Sequence, residues 1–244
     1  MPELVRYGDD PSQWGRLHRP AGESRGVVVV IHGGFWKAAY GAELGEPLAE
    51  RLAELGWTAW NLEYRRVGNG GGFPATLDDV AAGIDVLADL GVDCSTVVAL
   101  GHSAGGHLAL WAAARGGLGW DDRVRVTHVI SQAGVADLTR AFHEDLGSGA
   151  TRNLMGGASP SDPSYDLADP MRHLPLDVPV WCVHARDDDT VPFVIAQGYV
   201  AQARARDGVA ELVEVSGGHF GVIEPASPAW ARIEEILVTV HQGR

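Results

Sequence analysis

The sequence predicts an α/β fold, a mostly parallel sheet with helices on both faces. Three observations predict it. Apolar β-forming runs alternate with helical stretches along most of the 244 residues. Gly26-Val27-Val28-Val29-Val30-Ile31 is nearly all β-branched with no polar alternation, as expected of a parallel strand covered on both sides. Thr96 to Leu100 runs through Gly101-His102-Ser103-Ala104-Gly105 into an Ala/Leu/Trp-rich helical stretch, so strand, sharp turn and helix are contiguous.

Taken in order, residues 1–25 are polar with turn clusters, and Gln13 to His18 reads as an edge strand. After the Gly26–Ile31 strand, residues 41–55 place Leu44, Leu48, Leu52 and Leu55 on one helical face, and Gly56 ends that helix. Thr58 to Leu62 is the next strand. Residues 68–74 form a Gly-rich loop, and Thr76 with Asp79 three residues on resembles a capping box for a helix buried through Leu77, Val80, Ala81, Ile84 and Leu87. Val126 to Gln132, Val178 to Ala185 and Ala210 to Val215 read as strands, and Val194 to Arg206 as helix. Ser227-Pro228 supplies an N-cap and first-turn proline for a last helix, in which Trp230, Ile233, Ile236, Leu237 and Val240 keep a 3.6-residue period. Residues 134–177, long and rich in Gly, Ser, Asp and Pro, break the rhythm. A segment of that length inside a compact domain reads as a cap or lid insertion, so residues 1–244 are expected to form one domain carrying it.

A net charge of −13 argues against nucleic acid and anionic membranes as partners, because both demand clustered Lys and Arg. Two cysteines, Cys94 and Cys182, make no disulfide framework, and no apolar run approaches a membrane span. With no basic-then-apolar leader after Met1, a cytoplasmic setting is expected. Phe142 and Tyr165, taken as exposed aromatics of the insertion, leave monomer and homodimer both open.

The turn at residues 101–105 presents the Ser103 hydroxyl beyond the end of a strand, with Gly101 and Gly105 removing Cβ atoms where strand and helix nearly touch. The alternative is a Gly-rich turn whose serine only caps a helix. A serine attacks at neutral pH only if a base takes its proton, and histidine suits that task. Of the ten histidines, His219 in Gly217-Gly218-His219-Phe220-Gly221 follows the last strand at the edge where Ser103 emerges. His107 reads as a packed residue, and His184 as a minor aid in orienting the acid loop. That loop, Arg186-Asp187-Asp188-Asp189-Thr190-Val191-Pro192, offers three carboxylates to orient the imidazole. Position three before Val-Pro selects Asp188, with Asp187 in reserve and Asp189 least favoured. A transient oxyanion needs fixed N–H donors, each worth roughly 3–4 kcal/mol of barrier. His32-Gly33-Gly34-Phe35-Trp36 follows the Gly26–Ile31 strand, and the N–H groups of Gly34, Phe35 and Ala104 are assigned to it. His32, Trp36 and His102 are assigned to the substrate pocket. Tyr64, Arg65 and Arg66 either line that pocket or form a structural cluster. No residue set with metal-ligand spacing is present, so no metal is expected.

These segments resemble the α/β-hydrolase serine esterases whose oxyanion loop begins His-Gly-Gly, among them hormone-sensitive-lipase-like esterases and arylformamidases. The resemblance rests on residues 32–36, Gly101 to Leu108, Asp188 before Val191-Pro192, Gly218-His219-Phe220, and Phe73-Pro74-Ala75 leading into Asp78-Asp79-Val80. It covers about Val27 to Trp230. Phe35 stands where many lipase-like members have a third glycine, and with Trp36 it leans toward the arylformamidase side and narrows the acyl pocket. The resemblance implies a cofactor-free, two-step acyl transfer by Ser103, His219 and Asp188 on a small ester or activated amide. An ester hydrolase ranks first, an arylformamidase second, and a non-catalytic small-ligand-binding relative of the same fold third.

Overall fold

The structure is a computed structural model that describes residues 2–243. Eight strands form one sheet in the order β1-β2-β4-β3-β5-β6-β7-β8: β1 Glu3–Arg6, β2 Trp14–His18, β3 Val27–Ile31, β4 Thr58–Leu62, β5 Val97–His102, β6 His128–Gln132, β7 Val180–Ala185 and β8 Ala210–Val215. β1 and β2 are antiparallel additions, and β4 through β8 run parallel. The reading of β2 as an edge strand is corrected here. Glu3–Arg6, polar and mostly exposed, pairs outside it and takes the edge, where a strand needs no apolar face. The parallel pairing has one topological consequence: β3, β5, β7 and β8 all end at the same side of the sheet.

Every residue of β3 is buried. Val27, Val29 and Ile31 pack into one apolar cluster, and Val28 and Val30 into the other on the opposite face. The first face is covered by α2 (Ala75–Asp85), α3 (Ala104–Ala114) and α7 (Phe193–Arg204), the second by α1 (Glu46–Glu54) and α8 (Pro228–Gln242). At about 1.5–3 kcal/mol per fully buried aliphatic side chain, this one strand is a large contributor to the core. The α8 cap forms as its sequence implies, with the Ser227 hydroxyl accepting from Trp230 N–H at 2.9 Å and the Trp230–Val240 stripe buried. The capping-box reading of Thr76 and Asp79 does not hold. α2 starts at Ala75, two residues earlier than a Thr76 cap implies, Thr76 donates its hydroxyl to the Arg65 carbonyl, and Asp79 is taken by a bidentate ion pair with Arg65 (2.7 and 2.8 Å). A bidentate guanidinium partner outcompetes a local cap for this buried carboxylate.

Between β6 and β7, residues 134–177 hold three short helices, α4 (Leu138–His143), α5 (Ala150–Leu154) and α6 (Tyr165–Ala168). Asp169 organises them, its carboxylate accepting from the N–H groups of Leu138, Thr139 and Met171 and from the Thr139 hydroxyl. The insertion lies on α3. His107 Nε2–H donates to Ala168 O and Trp111 Nε1–H to Leu167 O, both at 2.9 Å. That second layer explains why α3 is apolar on every side: residues 104–112 are all buried, by the sheet below and by the insertion above. Tyr165, expected to be exposed, is wholly buried, so it offers nothing to a dimer contact. No helix among the described residues is long and apolar enough to cross a membrane.

Candidate active site

Parallel pairing brings four segments to one edge. β3 runs into the 32–36 loop, β5 into Ser103, β7 into the acid loop, and β8 into His219. Ser103 sits between β5 and α3 at φ 54° and ψ −115°, a backbone state that a non-glycine residue holds only where its surroundings enforce it. The surroundings are glycine. A Cβ on Gly101 would collide with the Gly105 carbonyl, and one on Gly105 with the Ile31 carbonyl, so strand and helix meet at a distance no larger residue permits. Ser103 N–H donates to Gln132 O at 2.9 Å, and Ser103 O accepts from Gly106 and Val135 N–H, which lock the turn from both sides.

The Asp188 side chain is fully buried and saturated with donors. Oδ1 accepts from the N–H groups of Thr190 and Val191, each at 2.8 Å, and Oδ2 from His219 Nδ1–H at 2.8 Å. His184 Nε2 lies 3.1 Å from the same Oδ2. Burial alone opposes ionisation here, but the bonds from His184, His219 and Val191 outweigh it and hold the carboxyl well below the usual range. Asp187 and Asp189 are exposed, and Asp189 bonds only the Thr190 hydroxyl. With Nδ1–H committed to Asp188, the His219 ring keeps its Nε2 lone pair for a proton. His102, the residue before Ser103, packs its ring 4.6 Å from that of His219 and donates Nε2–H to the His219 carbonyl at 2.9 Å.

The 32–36 loop is strained in a different way. Gly34, Phe35 and Trp36 stand consecutively at φ 107°, 53° and 54°. Lys37 N–H closes the turn on Gly34 O, while Trp36 O and Val67 O tie it to the neighbouring loop. Among the described residues, the N–H groups of Gly34, Phe35 and Ala104 donate to no other part of the chain. Ala104 N–H belongs to the first turn of α3, where helices leave donors unpaired.

His32, Trp36 and His102, the residues assigned to the pocket, are all buried. His32 stacks on Tyr64 at 4.4 Å and reaches Glu63 Oε1 at 3.1 Å, Trp36 packs edge-on against His107, and His102 is spent on His219. Phe35, partly exposed like Gly34, is set against Gly147 of the insertion, and Lys37 Nζ donates to Gly147 O at 3.2 Å. Glu63 went unnoticed in the sequence. Buried at the end of β4, it accepts from Ala42 N–H (3.0 Å) and Tyr64 N–H (2.8 Å) besides pairing with His32 and Arg66. A lone carboxylate directly after an apolar strand, at the edge where the other site residues emerge, was the available signal. Tyr64, Arg65 and Arg66 form the structural cluster: Tyr64 O–H holds His32 O at 2.7 Å, and Arg65 holds Asp79.

Comparison with known proteins finds esterases. The chain is 31% identical over 193 residues to the probable carboxylic ester hydrolase LipM of Mycobacterium tuberculosis, covering 73% of this chain and 44% of that protein. To esterase LipQ of the same organism it is 28% identical over 214 residues, 82% of this chain and 50% of that one. It thus spans about half the length of the curated relatives it matches. Esterase B of Lactobacillus rhamnosis superposes with a TM-score of 0.84 at 21% identity, covering 100% of this chain and 86% of that one, a likeness of fold. The BD-FAE family matches residues 17–201. The chain therefore belongs to the BD-FAE family of α/β-hydrolase esterases.

Proposed function

We propose that this chain hydrolyses small carboxylic esters through an acyl-enzyme, with Ser103 as nucleophile, His219 as base and Asp188 as its orienting acid. One observation carries the reading: the Asp188–His219 bond of 2.8 Å is made at the sheet edge where Ser103 stands in its strained turn. The esterase names of the relatives support the ester as substrate class.

In the first step Ser103 Oγ bonds to the ester carbonyl carbon and passes its proton to His219 Nε2. The carbonyl electrons move onto oxygen, and the N–H groups of Gly34, Phe35 and Ala104 hold that oxyanion. Collapse re-forms the C=O bond, breaks the bond to the alkoxy oxygen, and sends the His219 proton to the departing alcohol. Water then repeats the sequence on the acyl-serine, with His219 taking its proton, and releases the carboxylic acid and free Ser103. Ester and water give acid and alcohol, and no cofactor enters the balance.

Phe35, backed by Gly147, walls the site and favours short acyl groups. Phenyl acetate turnover tests the assignment: Ser103→Ala is expected to lose about a thousandfold or more. Turnover near the wild-type rate would remove Ser103 from the mechanism. Acetyl and butyryl phenyl esters run beside an aryl formamide decide between esterase and arylformamidase, and formamide turnover equal to the acetate's would favour the latter.

A further inference from the structure

Behind the acid loop, at the end of β7, stands an imidazole that the acyl-transfer steps leave unused. His184, the fifth residue of β7, is wholly buried. Its Nε2 faces two acceptors at once, Val191 O at 2.9 Å and Asp188 Oδ2 at 3.1 Å, and two acceptors require a proton between them. Its Nδ1 has no hydrogen-bond partner and is shielded from solvent, so the ring's proton belongs on Nε2. Asp188 Oδ2 is thereby shared between two imidazole N–H donors, His219 on the solvent side and His184 on the protein side.

We propose that His184 is a positioning residue that sets the strength and direction of the Asp188–His219 hydrogen bond. The inference rests on the Ser103–His219–Asp188 reading. His184 acts in two ways. By gripping Val191 O as well as Oδ2, it ties the carboxylate to the backbone of its own loop, so the rotamer that meets His219 is held on both sides. By withdrawing electron density from Oδ2, it limits the pull of Asp188 on the His219 proton, which keeps the base from holding the Ser103 proton too tightly. A carboxylate bound by His219 alone would favour the imidazolium more strongly.

The neighbouring groups leave this role to His184. From β5, His102 faces His219 through its carbonyl and ring, not through Asp188. From β8, Glu214 lies in register with His184 but is half exposed and held by Arg186 at 2.5 and 2.8 Å. From α7, Phe193 presents an edge to the His184 ring at 5.8 Å and carries no charge. Asp187 and Asp189 are exposed.

The test compares His184→Leu and His184→Gln in the full chain, with phenyl acetate kcat/KM measured from pH 5 to 9 and Tm as a check on folding. His184→Leu is expected to lower the plateau about tenfold. Its acid limb should move upward by about half a pH unit or more, because Asp188 then favours the imidazolium. Gln carries an amide N–H at the reach of Nε2 and is expected to restore both. A folded His184→Leu with the wild-type profile overturns the proposal, as does a Gln variant impaired like Leu, since packing alone would then explain the residue. Should the Leu variant not fold, histidine nitrogen NMR on the wild-type protein decides. An Nε2–H tautomer at His184 supports the proposal and an Nδ1–H tautomer overturns it. Ser103→Ala is run alongside: if it keeps turnover, the triad reading itself has failed and this inference falls with it, whereas an inactive Ser103→Ala with an unchanged Leu profile sinks the His184 role alone.

Discussion

The two halves of the candidate site are held in opposite ways. Around Asp188 every acceptor is filled, by two backbone N–H groups on one oxygen and two imidazoles on the other. Around Gly34 and Phe35 the backbone is forced to positive φ, and the N–H groups have no partner among the described residues. One half is preorganised by saturation, the other by strain. The difference follows from what each half does in the proposed mechanism. A carboxylate that only orients a base benefits from being immovable, whereas donors meant for a transient anion have to stay unpaired until it forms.

The supports behind the strained half are themselves saturated. Glu63 gathers His32, Arg66 and two backbone N–H groups, and Tyr64 O–H holds the His32 carbonyl. Hydrogen bonds to the charged form, chiefly from His32, overcome the cost of burial and keep the Glu63 carboxyl below its ordinary range. Strain at residues 34–36 thus persists because a buried ionic cluster over-determines the loop behind it.

The contrast is most sharply broken at Asp188. In Asp188→Asn, an amide N–H₂ faces either two backbone donors or two imidazole donors, and His219 is left in the wrong tautomer. The kcat for phenyl acetate is expected to drop about 10³–10⁴-fold with the fold intact, and a drop of less than tenfold would contradict the saturated-half description. Gly34→Ala attacks the other half. At φ 107° an added Cβ is strained and meets the Tyr40 side chain, so the loop must shift and misdirect its donors. A loss of about 10²-fold in kcat is expected, as for removal of one oxyanion donor, with a smaller change in KM. Unchanged kcat would mean that the Gly34–Phe35 backbone takes no part.

The smallest effect is read in stability. Burial, with a smaller contribution from the neighbouring His219 imidazole, pushes His102 down to about 3, and burial pushes His107 down to about 4. Both rings are neutral in the folded protein across the neutral range, while the unfolded chain takes up their protons near pH 6.5. Their stabilising contribution is therefore complete above about pH 6.5 and is lost as the pH falls toward those values, at up to about 1.4 kcal/mol per pH unit for each ring. The depressed carboxyls Asp188 and Glu63 add their loss only below about pH 4 to 4.5, where the unfolded carboxyls protonate. A Tm that declines steadily from pH 7 to 4.5 is expected in calorimetry. A flat Tm over that interval would show that the buried histidines are solvated or differently paired.

Much of this was legible in the chain itself, for local reasons. Covalent sequence by itself determines where β-branched runs must be buried on both faces, as at Val27–Ile31, and where glycine alone permits a strand to meet a helix, as at Gly101 and Gly105. Those properties, together with the parallel pattern, send Ser103, the Asp188 loop and His219 to one edge. Only the tertiary structure decided which polar groups meet there. That His32 stacks on Tyr64 and Trp36 packs against His107, that Asp79 serves Arg65 and not a helix cap, that Tyr165 is buried, and that His184 shares Asp188 with His219 all depend on contacts across the fold. A side chain's local propensity is worth a few tenths of a kcal/mol, whereas leaving a buried charge or N–H without a partner costs several times that, so packing has the final word on polar residues.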